Sequence, residues 1–204
     1  MRVTHATQAA IKYACTHFHY SKSVPATQYA YNIYNDADEW CGVVIFGGGA
    51  SNNLPKSLGY NAGEVLELAR VALNGKQLTT SQCVAACLKQ LHKDNPLCKA
   101  VVSFADHRQG HLGTIYQATN WIYLGIAHTS DTQYLYKGKW THERTINSKS
   151  NRDELKKILP KRENSNKFRY IFAFDRKERK KWLALAQPYP KDADITESDG
   201  AKGY

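Results

Sequence analysis

Apolar residues along this chain fall into short runs whose spacing alternates between helix-like and strand-like. Over residues 5–16, Ala9, Ile11, Ala14 and Cys15 lie near one face of a helix, so a helix is predicted there. Pro25 then disfavours helix at the residue before it. Residues 28–34 and 40–46 read as two antiparallel strands joined by the polar turn 35–39. The triple glycine at 47–49 reads as a flexible loop, because GGGASNN lacks the lysine of a phosphate-binding P-loop. Residues 64–73 form a short apolar run stopped by Gly75 and are predicted as a strand. Simple alternation would place Glu67 and Arg70 on its opposite faces. Thr79, Thr80 and Ser81 offer N-caps for a helix over 81–93, whose apolar positions include Val84, Cys87, Leu88 and Leu91 and which Asn95-Pro96 ends.

The densest signal follows. Residues 100–104 read as a buried strand, and Asp106 sits just past its carboxyl end, where open α/β sheets place ligands. A loop holding His107, Gly110, His111 and Gly113 leads to a short helix over 114–120 and a strand over 121–126. Asp106, His111, Thr114, Tyr116, Gln117 and Asn120 could gather in one place; the alternative is that Tyr116 and Asn120 simply pack and cap the short helix. Further on come a hairpin (134–136 and 140–142 around 137–139), a helix over 152–159, a strand over 168–174 and a basic helix over 175–186. The expected fold class is α/β (α+β), with residues 1–186 as one domain, a basic segment from about 143, and 187–204 as a disordered tail.

Charge changes the picture. Lys and Arg number 28 against 18 Asp and Glu, a net charge of +10 with a pI near 9.3. Such an excess points to a polyanionic partner, because neutralising phosphates releases counterions; an incidentally basic protein is the alternative. No apolar run reaches the roughly 18 residues of a membrane span, and the first residues lack a secretory signal, so no membrane association is expected. Five cysteines without CxxC spacing fit reduced thiols, with Cys83 and Cys87 on one buried helix face. His17, His19, Tyr20, Ser21 and Ser23 at a helix exit form either a catalytic edge or a polar surface loop.

Three segments together resemble the phage Mom family of DNA-modification proteins: His19-Tyr20-Ser21, the strand Glu67-Leu68-Ala69-Arg70-Val71, and Ser103-Phe104-Ala105-Asp106 followed by Gly113-Thr114-Ile115-Tyr116-Gln117-Ala118-Thr119-Asn120-Trp121. The resemblance covers roughly residues 12 to 145. It implies a GNAT-like acyltransferase fold, a mixed and mostly antiparallel twisted sheet flanked by helices. It also implies a transferase that converts adenine N6 in DNA to N6-carbamoylmethyladenine, protecting phage DNA from host restriction in the host cytoplasm. The matching active-site residues are His19, Arg70, Asp106 and Tyr116: Tyr116 as general acid, Asp106 as acceptor of the amine's proton, Arg70 as a clamp for phosphate or carboxylate. The family's link to iron makes His19 and Asp106 the candidate metal ligands.

The partners implied are double-stranded DNA and an acyl donor, and a homodimer is left open. The donor is either acyl-CoA or a glycine-derived aminoacyl-tRNA. The usual Q/R-x-x-G-x-G/A loop for CoA is absent after residue 73, although a helix N-terminus is still available to an anion. Lys156, Lys157, Lys161 and Arg162 are the expected DNA contacts, and Trp121, Tyr123 or Trp140 could stack on an extruded base. Two other readings stand beside this one: an acyltransferase acting on a small amine or protein, and a non-catalytic basic DNA-binding protein.

Overall fold

A computed structural model describes residues 1–49, 53–106, 110–127, 132–163 and 166–191. The chain divides into two compact units. The first comprises Met1–Phe104, Gly113–Gly125 and Arg169–Tyr189, and the second Ala105–Leu112, Ile126–Phe168 and Pro190–Tyr204.

The first unit is built on a seven-stranded sheet. In chain order its strands are β1 (Arg2–His5), β2 (Tyr29–Tyr34), β3 (Trp40–Gly47), β4 (Val65–Leu73), β5 (Ala100–Asp106) and β6 (Ile122–Ala127), and a late strand, β10 (Lys167–Ala173), lies between β5 and β6. β1 to β4 pair antiparallel, and β4 pairs β5 in parallel. This mixed, mostly antiparallel sheet flanked by helices matches the expected fold class. Its run of strands, central strand, helix and strand–loop–helix–strand matches the order of the GNAT fold. The helices are α1 (Gln8–His17), α2 (Leu54–Ser57), α3 (Thr80–Asp94), α4 (Thr114–Gln117) and α7 (Arg176–Leu183).

Several boundaries move for local reasons. The first helix begins at Gln8, because Thr7 takes extended dihedrals and its hydroxyl accepts from the Ala10 N–H at 3.3 Å. The residues before it form the edge strand β1, for which no strand was expected and whose last residue, His5, was expected in the helix. Gly47, expected in a flexible loop, is the last residue of β3. Asp106, expected just past a strand, is the last residue of β5, and α4 stops three residues early. The expected disordered tail is partly ordered: Tyr189 Oη donates to the Trp121 carbonyl at 2.6 Å, and the Gln187 N–H to that of Tyr123 at 2.9 Å. The rest of that tail, from 192, and His107 lie outside the described residues.

Alternation sorts the core. Ile11, Ala14 and Cys15 of α1 pack on Val43, Ile45 and Ala72. Trp182 of α7 packs with Val65, Ala100, Val102, Ile122 and Ile171. All five cysteines are free and buried, as expected. Burial pushes the Cys83 thiol up to about 11 and that of Cys98 up to about 12, so neither is a poised nucleophile. Among the described residues no helix is long and apolar enough to cross a membrane.

α3 is tied to the first two strands by a polar cluster. The Asp94 carboxylate accepts from Tyr31 Oη at 2.7 Å and Gln90 Nε2 at 2.9 Å, and meets His5 Nε2 at 2.8 Å. Burial works against its charge, but these hydrogen bonds outweigh it and hold the carboxyl below its ordinary 3.8. A depressed folded-state value gives stability that is present above the unfolded pKa and lost as pH falls through the folded one. In acid titrations followed by circular dichroism, the wild type should therefore lose more stability below about pH 4 than Asp94→Asn, which has no such carboxylate to protonate. Parallel acid transitions would show that Asp94 contributes nothing there.

The second unit contains a three-stranded antiparallel sheet in the order β8 (Lys139–His142), β7 (Thr132–Tyr136) and β9 (Lys161–Glu163), with helices α5 (Glu143–Asn147) and α6 (Arg152–Ile158). Its core is Tyr134, Ile146 and Leu155, with Tyr136 and Leu159 packed against them. The expected hairpin is present. Lys137 and Gly138 both take positive φ (51° and 75°), the geometry of a turn whose twist suits two antiparallel strands.

Candidate functional site

β4 and β5 pair only where Val65, Leu66 and Glu67 face Ala100, Val101 and Val102. Beyond that, β4 continues to Leu73 and β5 to Asp106 without pairing to each other, so the sheet parts in its middle. The parting leaves strand backbone groups in need of partners. Ser103, only 1% exposed, supplies one by donating from Oγ to the Leu68 carbonyl at 3.0 Å.

A bulge in β4 decides which side chains meet there. Ile45 stands opposite Arg70 and Phe46 opposite Leu68, so Ala69 is an extra residue with no partner. The extra residue resets the alternation. Glu67, opposite Gly47, and Arg70, opposite Ile45, share one face, which corrects the opposite-face expectation. It is the face on which α1 packs, because Ile45 belongs to the α1 core.

His19 follows the end of α1 and meets Arg70 on this face. Arg70 Nη1 lies 3.2 Å from His19 Nδ1 and 3.5 Å from Nε2. The Ser21 N–H also donates to Nδ1, at 3.1 Å, and Ser21 Oγ lies 3.0 Å from it. The Ser21 N–H makes Nδ1 an acceptor, while Arg70 Nη1, nearly equidistant from the two ring nitrogens, lies over the ring. Arg70 is half-buried, and its Nε is buried without a hydrogen-bond partner among the described residues. A half-buried guanidinium with an unpartnered Nε has a donor left to offer an anion.

Tyr116, on α4, is 8% exposed and packs between Trp121 and Tyr170, with ring centroids 5.0 Å away in both cases. Its Oη lies 2.8 Å from Ser103 Oγ. Ser103 has one proton; with that on the Leu68 carbonyl, which can only accept, the phenol donates to Ser103. Burial is the chief cause that pushes the Tyr116 phenol up to about 12, and Glu67 and Tyr20 push the same way. The Ser103 hydroxyl, which can turn to donate to a phenolate, works against the rise. Tyr116 therefore keeps its proton near neutrality, as a proton donor must before it acts.

The structure thus joins His19 to Arg70 and binds Tyr116 to Ser103, all in the first unit. Asp106 falls in the second unit, where its carbonyl accepts from the His111 N–H at 3.3 Å. The sequence reading did not single out Ser103, although a lone hydroxyl inside the apolar run Ala100–Phe104 was the available signal. Tyr20 and Glu67 were named without their electrostatic reach to Tyr116.

Other expectations change more. The metal reading does not fit. Among the described residues no group of three or more His, Cys, Asp and Glu could hold an ion, and the Arg70 guanidinium already lies against the His19 ring. Trp121 and Tyr123 are core residues, 0% and 6% exposed, and cannot stack on an extruded base; Trp140 is 39% exposed. Of the four basic residues expected on DNA, Lys156 is half-buried and its Nζ lies 2.5 Å from Glu143. Lys157 and Lys161 are exposed, and Arg162 stacks over Trp140.

Comparison with known proteins gives three kinds of likeness. A family model described as the Mom protein family matches residues 1–191. The chain is 34% identical over 120 residues to methylcarbamoylase mom of Escherichia phage Mu, a match covering 54% of this chain and 49% of the relative. The chain thus spans about half the length of that relative. Among solved structures it is similar to a Bacillus subtilis acetyltransferase in complex with CoA (TM-score 0.41, 12% identity, 72% of this chain and 77% of that one). It is also similar to the spermidine/spermine N-acetyltransferase SpeG of Vibrio cholerae in complex with manganese ions (TM-score 0.48, 5% identity, 91% and 96%).

Proposed function

The chain belongs to the Mom protein family, and from that premise we propose that it is a DNA-modifying transferase that places a carbamoylmethyl group on adenine N6. The name of the phage Mu relative, a methylcarbamoylase, supports this reaction class. The observation that carries the reading is Arg70: a half-buried guanidinium beside His19, its Nε unpartnered, where β4 and β5 part. Both candidate donors, acyl-CoA and glycine-charged tRNA, carry phosphates that such a group would hold. In this reading Asp106 accepts the proton that N6 loses as it attacks the carbonyl of a glycine-derived donor. The N6–carbonyl bond forms as the donor's ester or thioester bond breaks, and Tyr116 returns a proton to the leaving oxygen or sulfur. The glycyl adduct then isomerises to the methylene-joined product with no atom gained or lost. His19, held by Arg70 and Ser21, orients the guanidinium.

The donor's chemistry makes a sharp distinction. A glycine-derived donor contains the two carbons and the nitrogen of the product. Attack on its carbonyl joins N6 through that carbonyl and gives N6-glycyladenine. Carbamoylmethyladenine has the same elemental composition but is joined through the methylene. Mass alone does not separate the two, and fragmentation does.

The test is tandem mass spectrometry of nucleosides from the DNA of cells expressing the protein. An adenine adduct whose fragments keep the methylene on N6 is the expected result. A glycyl adduct would leave DNA modification standing and overturn the carbamoylmethyl product. Unmodified adenine in the presence of folded, abundant protein would overturn both.

A further inference from the structure

The three-stranded sheet of the second unit has two unlike faces. On one, Tyr134 stands opposite Thr141 and Lys161 and carries the sheet into its small core. On the other, Gln133 stands opposite His142 and Arg162, and Leu135 opposite Trp140. None of the five residues on this second face is acidic. Trp140 is 39% exposed, whereas Trp121 and Trp182 are core residues. The Arg162 guanidinium carbon lies 4.3 Å from the centre of the Trp140 ring. Its Nε donates to Gln133 Oε1 at 2.9 Å, which holds the guanidinium in place. Around it, residues 132–163 carry nine Lys and Arg against four Asp and Glu.

A stacked indole and guanidinium offer two things at once: a flat polarisable surface and a positive charge at its edge. An acidic peptide would use the charge and leave the flat surface idle. An unpaired base attached to its phosphate uses both, and open sheet faces bearing aromatic and basic residues bind single strands in this way. We propose that the face formed by Gln133, Leu135, Trp140, His142 and Arg162 binds single-stranded DNA, with a base stacked on the Trp140–Arg162 pair and its phosphate met by Arg162. The proposal rests on the reading of this chain as a DNA-modifying enzyme. An enzyme that works on N6 must draw the base out of its stack, and the strand beside that base is then locally unpaired.

The full-length protein is titrated with a fluorescein-labelled oligothymidylate and with a duplex of the same length, reading anisotropy and tryptophan emission. The single strand should bind more tightly than the duplex and quench tryptophan emission. Trp140→Ala should weaken single-strand binding about tenfold with an unchanged salt slope, because stacking releases no counterions. Arg162→Gln should weaken it and flatten the slope by about 0.7. Trp140→Phe keeps a ring in place; it should bind nearly as wild type while losing the quench, which locates the base even if the alanine variant fails to fold. Wild-type affinity in a folded Trp140→Ala protein, an intact quench in Trp140→Phe, or tighter binding of duplex, RNA or an acidic peptide would overturn the proposal. The adduct measurement stands apart from this one. Stacking without adduct would sink the enzymatic reading alone, and adduct with unaltered Trp140→Ala binding would sink this proposal alone.

Discussion

Tyr116→Phe is expected to lower adduct yield by on the order of a hundredfold or more while leaving the fold close to wild type. The change removes one hydroxyl and keeps the ring between Trp121 and Tyr170. Ser103 is not orphaned by it, because its hydroxyl still donates to the Leu68 carbonyl. The loss in stability should therefore stay near the roughly 1 kcal/mol net value of one hydrogen bond. Asp106→Asn should behave alike, since a neutral amide oxygen is a far weaker proton acceptor than a carboxylate. Adduct yield measured by mass spectrometry, alongside thermal unfolding, separates the outcomes. A folded Tyr116→Phe protein with wild-type yield would reduce this side chain to a packing role, and a matching result for Asp106→Asn would remove the proposed base.

Gly113→Ala should be the most damaging single-methyl change around the candidate site. Gly113 caps α4 with φ 77° and ψ 32°, a left-handed conformation that costs other L-residues about 1–2 kcal/mol. A Cβ there would also stand 2.5 Å from Tyr170 Cε2 and 2.7 Å from its Cζ. Tyr170 has no room to retreat: it is 0% exposed and packed against Tyr116 and Tyr123. Forcing a methyl into such a core adds about 1–3 kcal/mol. Together these predict a fall in melting temperature on the order of 10 °C for a chain of this size. Gly138→Ala is the control, since Gly138 also has positive φ but meets nothing within 4 Å, and only the backbone cost applies. Equal melting temperatures for the two variants would show that Tyr170 yields after all.

What the sequence disclosed, and what it withheld, follows from how local each feature is. Strands β2 and β3, helix α3 and the β7–β8 hairpin are written in nearest-neighbour patterns of alternation, caps and turn residues, and each was found within two residues of its ends. β1 and β9 were missed because three or four residues, mostly polar, show no period at all. The Glu67–Arg70 relation was misread for a subtler reason. One unpaired residue, Ala69, shifts the phase of everything after it, and no local pattern announces a bulge. The resemblance supplied His19, Arg70, Asp106 and Tyr116 as names; the contact between His19 and Arg70 needed the fold. Ser103 stayed hidden because its value lies in the parting of two strands. Counting charges likewise could not show that Lys156 is engaged by Glu143 while Arg162 lies on an indole.

The position of β10 bears on how the chain reaches its native state. β5 and β6 are close in sequence, yet they are not neighbours, because Lys167–Ala173 lies between them. During synthesis, β5 leaves the ribosome long before the strand that completes it. Until then its edge is an apolar, unpaired template that other chains can pair with. Closing that edge also requires a contact between residues far apart in sequence, the kind that slows folding. Shortening the chain before β10 would therefore do more than trim a terminus. It would leave Val101 and Val102, both fully buried in the finished protein, on an open edge, and such a fragment belongs with aggregates rather than with folded protein.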